Sequence, residues 1–531
     1  MTINVNKINQ NNGYKKHLNI ERSYSSLAMK ETHQTTINVG WLIPIWSREL
    51  LPSQQINVNE TCQAQFFPWV STVIHRIMMV KKTFFTPYRI LDKNWEEFIQ
   101  GGIDGKNAYE MPYLDLKTIQ LEMAAAGKSI EGSVLDYLGY PINNLMVGAA
   151  KTAKMRIMDY YVKAYNMIYN EHYRPVDIQQ EKVGELNFDL IKCLWENDYY
   201  TNGQVYQLRG ITPIVPIAEG SIARVTTFDG FEYTDGSMTG EFGTIGTIPV
   251  AIGGRMSDGK ISSLNIGSTF MQVDLGSGGV GINVNDMLNS ILIMAMLSNN
   301  AKMEYRYIDW LEQRFGIKRQ DARLQRPELI GVDTFEITAQ GIVQTSYGDA
   351  KTGQTPQGHV TSQAGLNTGS MTVNYEAQEH GIIMTIIEIK PATVYEQGLN
   401  AMHTCRTKEE FGTPELENAP AVPIRKGEVY FDQSDADIEL FSWKGIYDET
   451  RTATNKVTGL LRPTATAGLA SFTLARKFES HVEYNIDFVQ CNADMQRIKV
   501  YTDEPDAIFI HTASIGTSLP LPLESNPAEL L

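Results

Sequence analysis

The chain has 531 residues, of which 42% are hydrophobic, 10% aromatic and 20% charged, with a net charge of −15. This composition supports a sizeable core, and the acidic balance argues against wrapping nucleic acid over the whole surface, because phosphate binding needs clustered Lys and Arg. The length suits several average domains or one β-barrel-type domain with long insertions, and the low charged fraction implies a surface partly covered by partners.

Residues 1–30 form an Asn-rich segment without an apolar period, carrying Lys7, Lys15, Lys16, Arg22 and Lys30 against the single acid Glu21. It reads as a mobile basic arm, with Lys7, Lys15, Lys16 and Arg22 as candidates for DNA-phosphate contact; an ordinary frayed terminus is the alternative. No apolar signal region follows the early lysines and no apolar run reaches the ~18 residues that span a bilayer, so neither a cleaved export signal nor membrane insertion is expected. Cys62, Cys193, Cys405 and Cys491 are widely separated and lack metal-ligand spacing, which suggests reduced, buried thiols.

From Gln34 to Leu91 the runs TTINVGWLIPIW, QQINVNETCQAQFF and TVIHRIMMVKKTFF alternate partially and are rich in Val, Ile, Thr and Phe. Three strands with no helix between them predict antiparallel pairing. KNWEEFIQGG predicts a short helix stopped by Gly101 and Gly102, and residues 103–200 turn helical through SVLDYLGYPI and KTAKMRIMDYYVKAYNMIYNEHYRPVD. Within the latter, Tyr161, Tyr165, Tyr169 and Tyr173 recur every fourth residue. That stripe reads as a packing face, with base stacking on rings interleaved with Lys154, Arg156, Lys163 and Arg174 as the alternative.

Between Ile211 and Asn283 the chain becomes glycine-rich, with Gly220, Gly230, Gly236, Gly240, Gly243 and Gly246 separating short β-like fragments. Such an excursion between helical blocks predicts a surface insertion. Helices are expected over residues 285–316: MLNSILIMAML behind Asn285, then an amphipathic stretch burying Tyr307, Trp310 and Leu311. After Pro327 the chain reads as β through FEITAQGIVQTS, HGIIMTIIEIKP, GEVYF, YNIDFV, RIKVYT and AIFIHTA, with an exposed loop between Tyr347 and Thr372. Strands at both ends with helices and a large loop between them suit a mainly β chain built on an antiparallel sandwich, for which a jelly roll is the natural candidate. The expected organisation is a basic arm (1–30) and a single domain (31–531). That domain holds a helical insertion (94–200), a Gly-rich insertion (211–283), helices (285–316) and a β-rich C-terminal half (327–515).

Enzyme-like chemistry is sparse. Gly276-Ser-Gly278-Gly-Val-Gly281 spells G-x-G-x-x-G after a strand-like run, but no further βαβ units follow, so a Gly-rich loop returning to the scaffold explains it better than a nicotinamide site. Asp432, Asp435, Asp437 and Glu439 could offer oxygen ligands to Ca²⁺, yet they lack the glycine and terminal bidentate acid of an EF-hand, and a solvated turn accounts for them. Neither H-E-x-x-H nor G-x-S-x-G occurs, so no catalytic residue, cofactor or metal is expected. Asn59-Glu60-Thr61 matches a glycosylation sequon that has no meaning without secretion.

Several blocks carry more specific wording. TTINVGWLIPIWSRELLPSQQINVN, TFFTPYRILDKNWEEFIQG, KAYNMIYNEHYRPVD, DYYTNGQVYQLRG, QDARLQRPELIG at residues 320–331 and EHGIIMTIIEIKPATVYEQGLNAM follow one another in this order along the chain. Together they resemble the major capsid protein of the microviruses, small icosahedral single-stranded DNA phages, particularly the gokushovirus-like branch. The segments after Ala401 are looser, and Gly203-Gln-Val-Tyr-Gln-Leu-Arg209 replaces a proline-tryptophan-proline approach. The resemblance implies an eight-stranded jelly-roll subunit, five around each vertex, in a shell of about sixty copies over circular single-stranded DNA. It also implies an outward protrusion made by the insertion, a small basic internal DNA-binding protein, a minor capsid or pilot protein, and a bacterial surface receptor. A β-rich phage fibre or adhesin would also suit a Gly-rich loop on a sandwich; a nicotinamide enzyme is the remote third class.

Overall fold

A computed structural model describes residues 3–4, 19–20, 24–100, 109–141, 157–181, 186–213, 224–226, 272–274, 284–302, 325–343, 360–366, 369–417, 419–465 and 468–521. The chain divides into two compact units, Met1–Gln207 with Asn300–Leu531, and Leu208–Asn299.

Nine strands organise the first unit: β1 (Ser25–Ile37), β2 (Trp41–Leu50), β3 (Gln55–Phe66), β4 (Ile77–Pro87), β5 (Glu328–Val343), β6 (Val360–Leu366), β7 (Gly369–Glu376), β8 (Gly381–Pro391) and β9 (Ala507–Leu519). Pairing is antiparallel throughout and follows two four-strand runs, β1-β9-β3-β7 and β2-β8-β4-β5. Strand β6 pairs along β5 and touches β3 at Gly365 opposite Gln65, linking the runs. This is the eight-stranded jelly roll. Its fifth strand lies far along the sequence because residues 88–327 intervene between β4 and β5, and residues 392–506 separate β8 from β9.

The reason these segments form strands is visible in their phase. In β3, Ile56, Val58, Cys62, Ala64 and Phe66 are buried while Gln55, Asn57, Asn59, Gln63 and Gln65 are exposed, a period of two that matches a half-solvated antiparallel strand. Those side chains meet Ile43 and Ile45 of β2, Ile77, Met79 and Phe85 of β4, Ile383, Ile387 and Ile389 of β8 and Phe509, Ala513 and Ile515 of β9 in one core between the sheets. By contrast β8 is buried along almost its whole length. Its alternate residues Ile382, Met384 and Ile386 join a second core on the far side of the β2-β8-β4-β5 sheet. A sheet covered on both faces needs a continuous apolar run, and GIIMTIIEIKP supplies one.

The second core is roofed by a helical layer. Helix α1 (Leu116–Ala125) packs in a separate smaller cluster with Leu114, Ile130, Leu135 and Val162; it starts at Asp115, whose side chain accepts from Lys117 N at 3.2 Å and so satisfies an orphan donor of the first turn. Helix α2 (Tyr160–Ile168) roofs the second core directly and continues into a π-helical turn over Tyr169–Tyr173. Tyr165, Tyr169 and Tyr173 are buried and Tyr161 is half-buried, and they pack with Phe84, Leu42 and Ile382. Tyr165 Oη donates to Leu42 O at 2.8 Å and Tyr169 Oη to Gln179 Oε1 at 2.6 Å. The tyrosine stripe is therefore a packing face and offers no ring to a base.

Some segments differ from the sequence expectation. Within SVLDYLGYPI the helix is only Val134–Tyr137, followed by Gly139 at φ +82°. GEVYF holds part of the 3-10 turn Lys426–Glu428, YNIDFV holds the short helix Ile486–Val489 capped by Asn485, and RIKVYT contributes one bridge from Lys499 to Trp69. Their alternation arises from buried residues such as Val429, Phe488 and Ile498 set in irregular backbone, which a four- to six-residue window cannot distinguish from a strand. The strand pair that does form there is Val422–Arg425 with Leu440–Lys444.

In the second unit, Arg224–Thr226 pairs antiparallel with Gln272–Asp274. Helix α3 (Val284–Ala301), whose last two residues belong to the first unit, leaves Met287, Leu288, Ile291, Leu292, Ile293 and Met296 exposed. No helix among the described residues is long and apolar enough to cross a membrane.

Candidate functional site

Strand phase places three ionisable residues inside the sandwich. Glu60 on β3, Lys81 on β4 and His511 on β9 are each at most 1% exposed. Lys81 Nζ lies 3.3 Å and His511 Nε2 3.5 Å from Glu60 Oε2, and Thr385 Oγ1 on β8 donates to Glu60 Oε1 at 2.8 Å. Burial pushes the Glu60 carboxyl up, but the His511 contact, the Lys81 charge and the Thr385 hydroxyl together outweigh it and hold the group below its ordinary value. No substrate reaches a cluster sealed between two sheets, so its work is to tie them together.

The four acids expected as Ca²⁺ candidates separate. Asp432 and Asp437 converge on His481, whose Nε2 is 2.8 Å from Asp437 Oδ1 and 3.7 Å from Asp432 Oδ1. Glu439 instead accepts from Lys426 Nζ at 2.7 Å, and Asp435 lies in the 3-10 turn Asp435–Ile438. The trio could hold a cation through two carboxylates and an imidazole; His481 engages Asp437 Oδ1, while Asp437 Oδ2 is buried with no hydrogen-bond partner among the described residues. Sequence reasoning missed His481 because it lies 44 positions from Asp437 with no spacing signal.

A cavity of about 970 Å³ opens among Asp198, Tyr199, Trp443, Lys444 and His75. Several of its ionisable groups are already engaged with neighbouring side chains. Lys444 lies 3.2 Å from Glu449 and 3.8 Å from Glu428 and donates to Tyr199 Oη, while Tyr395 Oη donates to Asp198 Oδ2 at 2.8 Å. Burial holds the Glu428 carboxyl above its ordinary range. His75 contacts Ala392 O at 2.6 Å, and burial lowers its pKa. These groups brace loops.

Lys7, Lys15, Lys16 and Arg22 lie outside the described residues, as do Gly220, Gly230, Gly236, Gly240, Gly243 and Gly246 and the Gly276–Gly281 motif. The features with functional promise are therefore surfaces: the bare face of the β1-β9-β3-β7 sheet and the apolar side of α3.

A jelly roll with long insertions and no competent reaction centre among the described residues matches a model of the family described as capsid protein (F protein) over residues 16–528. The chain belongs to this family. Similar proteins include the "Capsid protein VP1" of Chlamydia phage 1, 24% identical with 95% of each chain covered, and that of Bdellovibrio phage phiMH2K, 25% identical over 88% of each. That of Spiroplasma virus 4 is 23% identical over 81% of each. As a microvirus capsid protein, the chain is a structural component of a virion and not an enzyme, which disposes of the nicotinamide reading.

Proposed function

We propose that the chain is the repeating subunit of a closed icosahedral shell of about sixty copies, grouped in fives, around a circular single-stranded DNA genome. The observation that carries this is a complete jelly roll in a chain that matches the capsid family model along nearly its whole length. Residues 1–30 serve as an interior arm, with Lys7, Lys15, Lys16 and Arg22 neutralising phosphates. Because the chain carries −15, a small basic internal DNA-binding protein supplies the remaining counter-charge, and a minor capsid or pilot protein accompanies it. Residues 211–283 form an outward protrusion that meets the bacterial surface receptor. Packing of the insertions from neighbouring subunits around a three-fold axis is supported by the exposed apolar residues of α3, which a lone copy leaves in water.

Electron microscopy and sedimentation of the purified protein test this reading. Uniform closed particles support it; a stable monomer, or an elongated trimer of the fibre type, overturns it.

A further inference from the structure

The sandwich has two outward sheet faces with different fates. That of β2-β8-β4-β5 is covered by the helical layer, whereas that of β1-β9-β3-β7 is bare. Register defines the bare face row by row. Thr36, Ile508 and Gln65 form one row, followed by Gln34, Ile510 and Gln63, then Thr32, Thr512, Thr61 and Ser370. Next come Lys30, Ser514, Asn59 and Thr372, then Ala28, Gly516, Asn57 and Asn374, and last Ser26, Ser518, Gln55 and Glu376. All are exposed or half-buried.

Only Lys30 and Glu376 carry charge, and both stand on edge strands; the outward residues of the central strands β3 and β9 include no ionisable group. A solvated sheet face ordinarily carries Lys and Glu, since surfaces are about 25–35% charged. Here a chain of net charge −15 keeps one whole sheet face almost free of carboxylates.

We infer that this face is a neutral platform on which the enclosed single-stranded DNA lies, an inference that rests on the capsid reading above. A polyanion is repelled by carboxylates, and this is the broad face of the sandwich that lacks them. Amides of Gln34, Asn59, Gln63 and Gln65 each offer two donors and an acceptor, and the Ser and Thr hydroxyls add more. These groups bond phosphate oxygens, sugars and base edges without selecting a sequence. Neutral donors displace no counterions, so the contact is weak per group and insensitive to salt, unlike one made by Lys and Arg. The segment carrying Lys7, Lys15, Lys16 and Arg22 runs directly into β1, the edge strand of this sheet, so a charged anchor and a neutral platform adjoin in the chain.

The test adds negative charge with almost no change of shape: Gln34→Glu, Asn59→Asp, Gln63→Glu and Gln65→Glu in the full chain, produced with the other virion components. Its control places four equal changes at exposed amides off the sheet, Gln100→Glu, Asn197→Asp, Gln433→Glu and Gln496→Glu. The expected result is normal shells from both, with genome content in the face variant at least fivefold lower by the 260/280 nm absorbance ratio. Equal genome content in the two variants overturns the inference. So does loss of shells in the face variant alone, which would make the face a protein contact. If the unaltered protein forms no shells, the capsid reading fails, and this inference falls with it.

Discussion

Glu60 stands in phase with Ile56, Val58 and Cys62, Lys81 with Ile77, Met79 and Thr83, and His511 with Phe509 and Ala513. A charged residue in the apolar phase of a strand is a legible sign of a buried ion pair, although which residues pair across the sheets is set by topology that one strand does not reveal. Removing one partner of such a pair leaves the other charge buried without compensation. Glu60→Gln should therefore cost about 3–5 kcal/mol, read as a lower urea midpoint, and Lys81→Met in the same chain should recover much of the loss. An equal cost in the single and double variants would show that the pair contributes nothing. The pH dependence has a definite sign. Since the Glu60 pKa is depressed in the fold, its contribution is fully present above the ordinary Glu range and is lost as pH falls through the lowered value. Wild-type stability should decline below about pH 4, and Glu60→Gln should flatten part of that decline. Asp92 is one of the groups that keep the remainder: burial raises it, but the hydroxyls of Tyr109 and Tyr160 and the Asn94 backbone amide outweigh that and lower it. By contrast, nothing in the spacing of Asp432 and Asp437 announces His481, which reaches them only through the irregular connection between β8 and β9.

At the scale of elements, the strands were readable where one face meets water and where both faces are buried, because each case leaves its own pattern, as in β3 and β8. Residues 392–506 were not, because their apolar side chains are fixed by packing in irregular backbone, not by a period. The β1–β2 turn shows how tightly such segments close on the sandwich. Gly40 has φ +87°, and a Cβ there would stand 2.5 Å from the carbonyl oxygen of Cys491. Gly40 N also donates to Ile389 O at 2.8 Å, and Gly40 O accepts from Cys193 N at 2.9 Å, so the turn cannot retreat without breaking both bonds. Gly127 provides the comparison, with φ +71° and open space around its Cβ position. Gly127→Ala should cost about 1–2 kcal/mol, the strain of a left-handed backbone alone, while Gly40→Ala should cost at least about 2 kcal/mol more because backbone must move. Equal urea midpoints for the two variants would show that the close approach at Gly40 is not held. A smaller effect is expected for Tyr165→Phe. It strips Leu42 O of a donor and Ile191 N of an acceptor inside the helical layer, for about 1–3 kcal/mol.

For the whole molecule, the decisive division is between Leu208–Asn299 and the rest. All nine strands of the sandwich and the helices α1 and α2 come from residues outside that segment, so both cores are complete without it. The chain leaves the sandwich after β4 and re-enters at β5, with the whole excursion between two strands that are direct neighbours in the sheet. Closing a shorter connection between fixed neighbours costs less entropy than closing a longer one. Replacing residues 211–283 by a brief Gly-Ser linker should accordingly leave the urea midpoint of the sandwich within experimental error of wild type. If the insertion is the host-facing protrusion, the same deletion should lower adsorption of particles to cells at least tenfold while genome content stays normal, because the sheet face and the basic arm are untouched. The two readouts separate the structural argument from the functional one. Loss of folding in the shortened chain would mean that the insertion is part of the scaffold, whereas normal folding with normal adsorption would move receptor recognition to another surface.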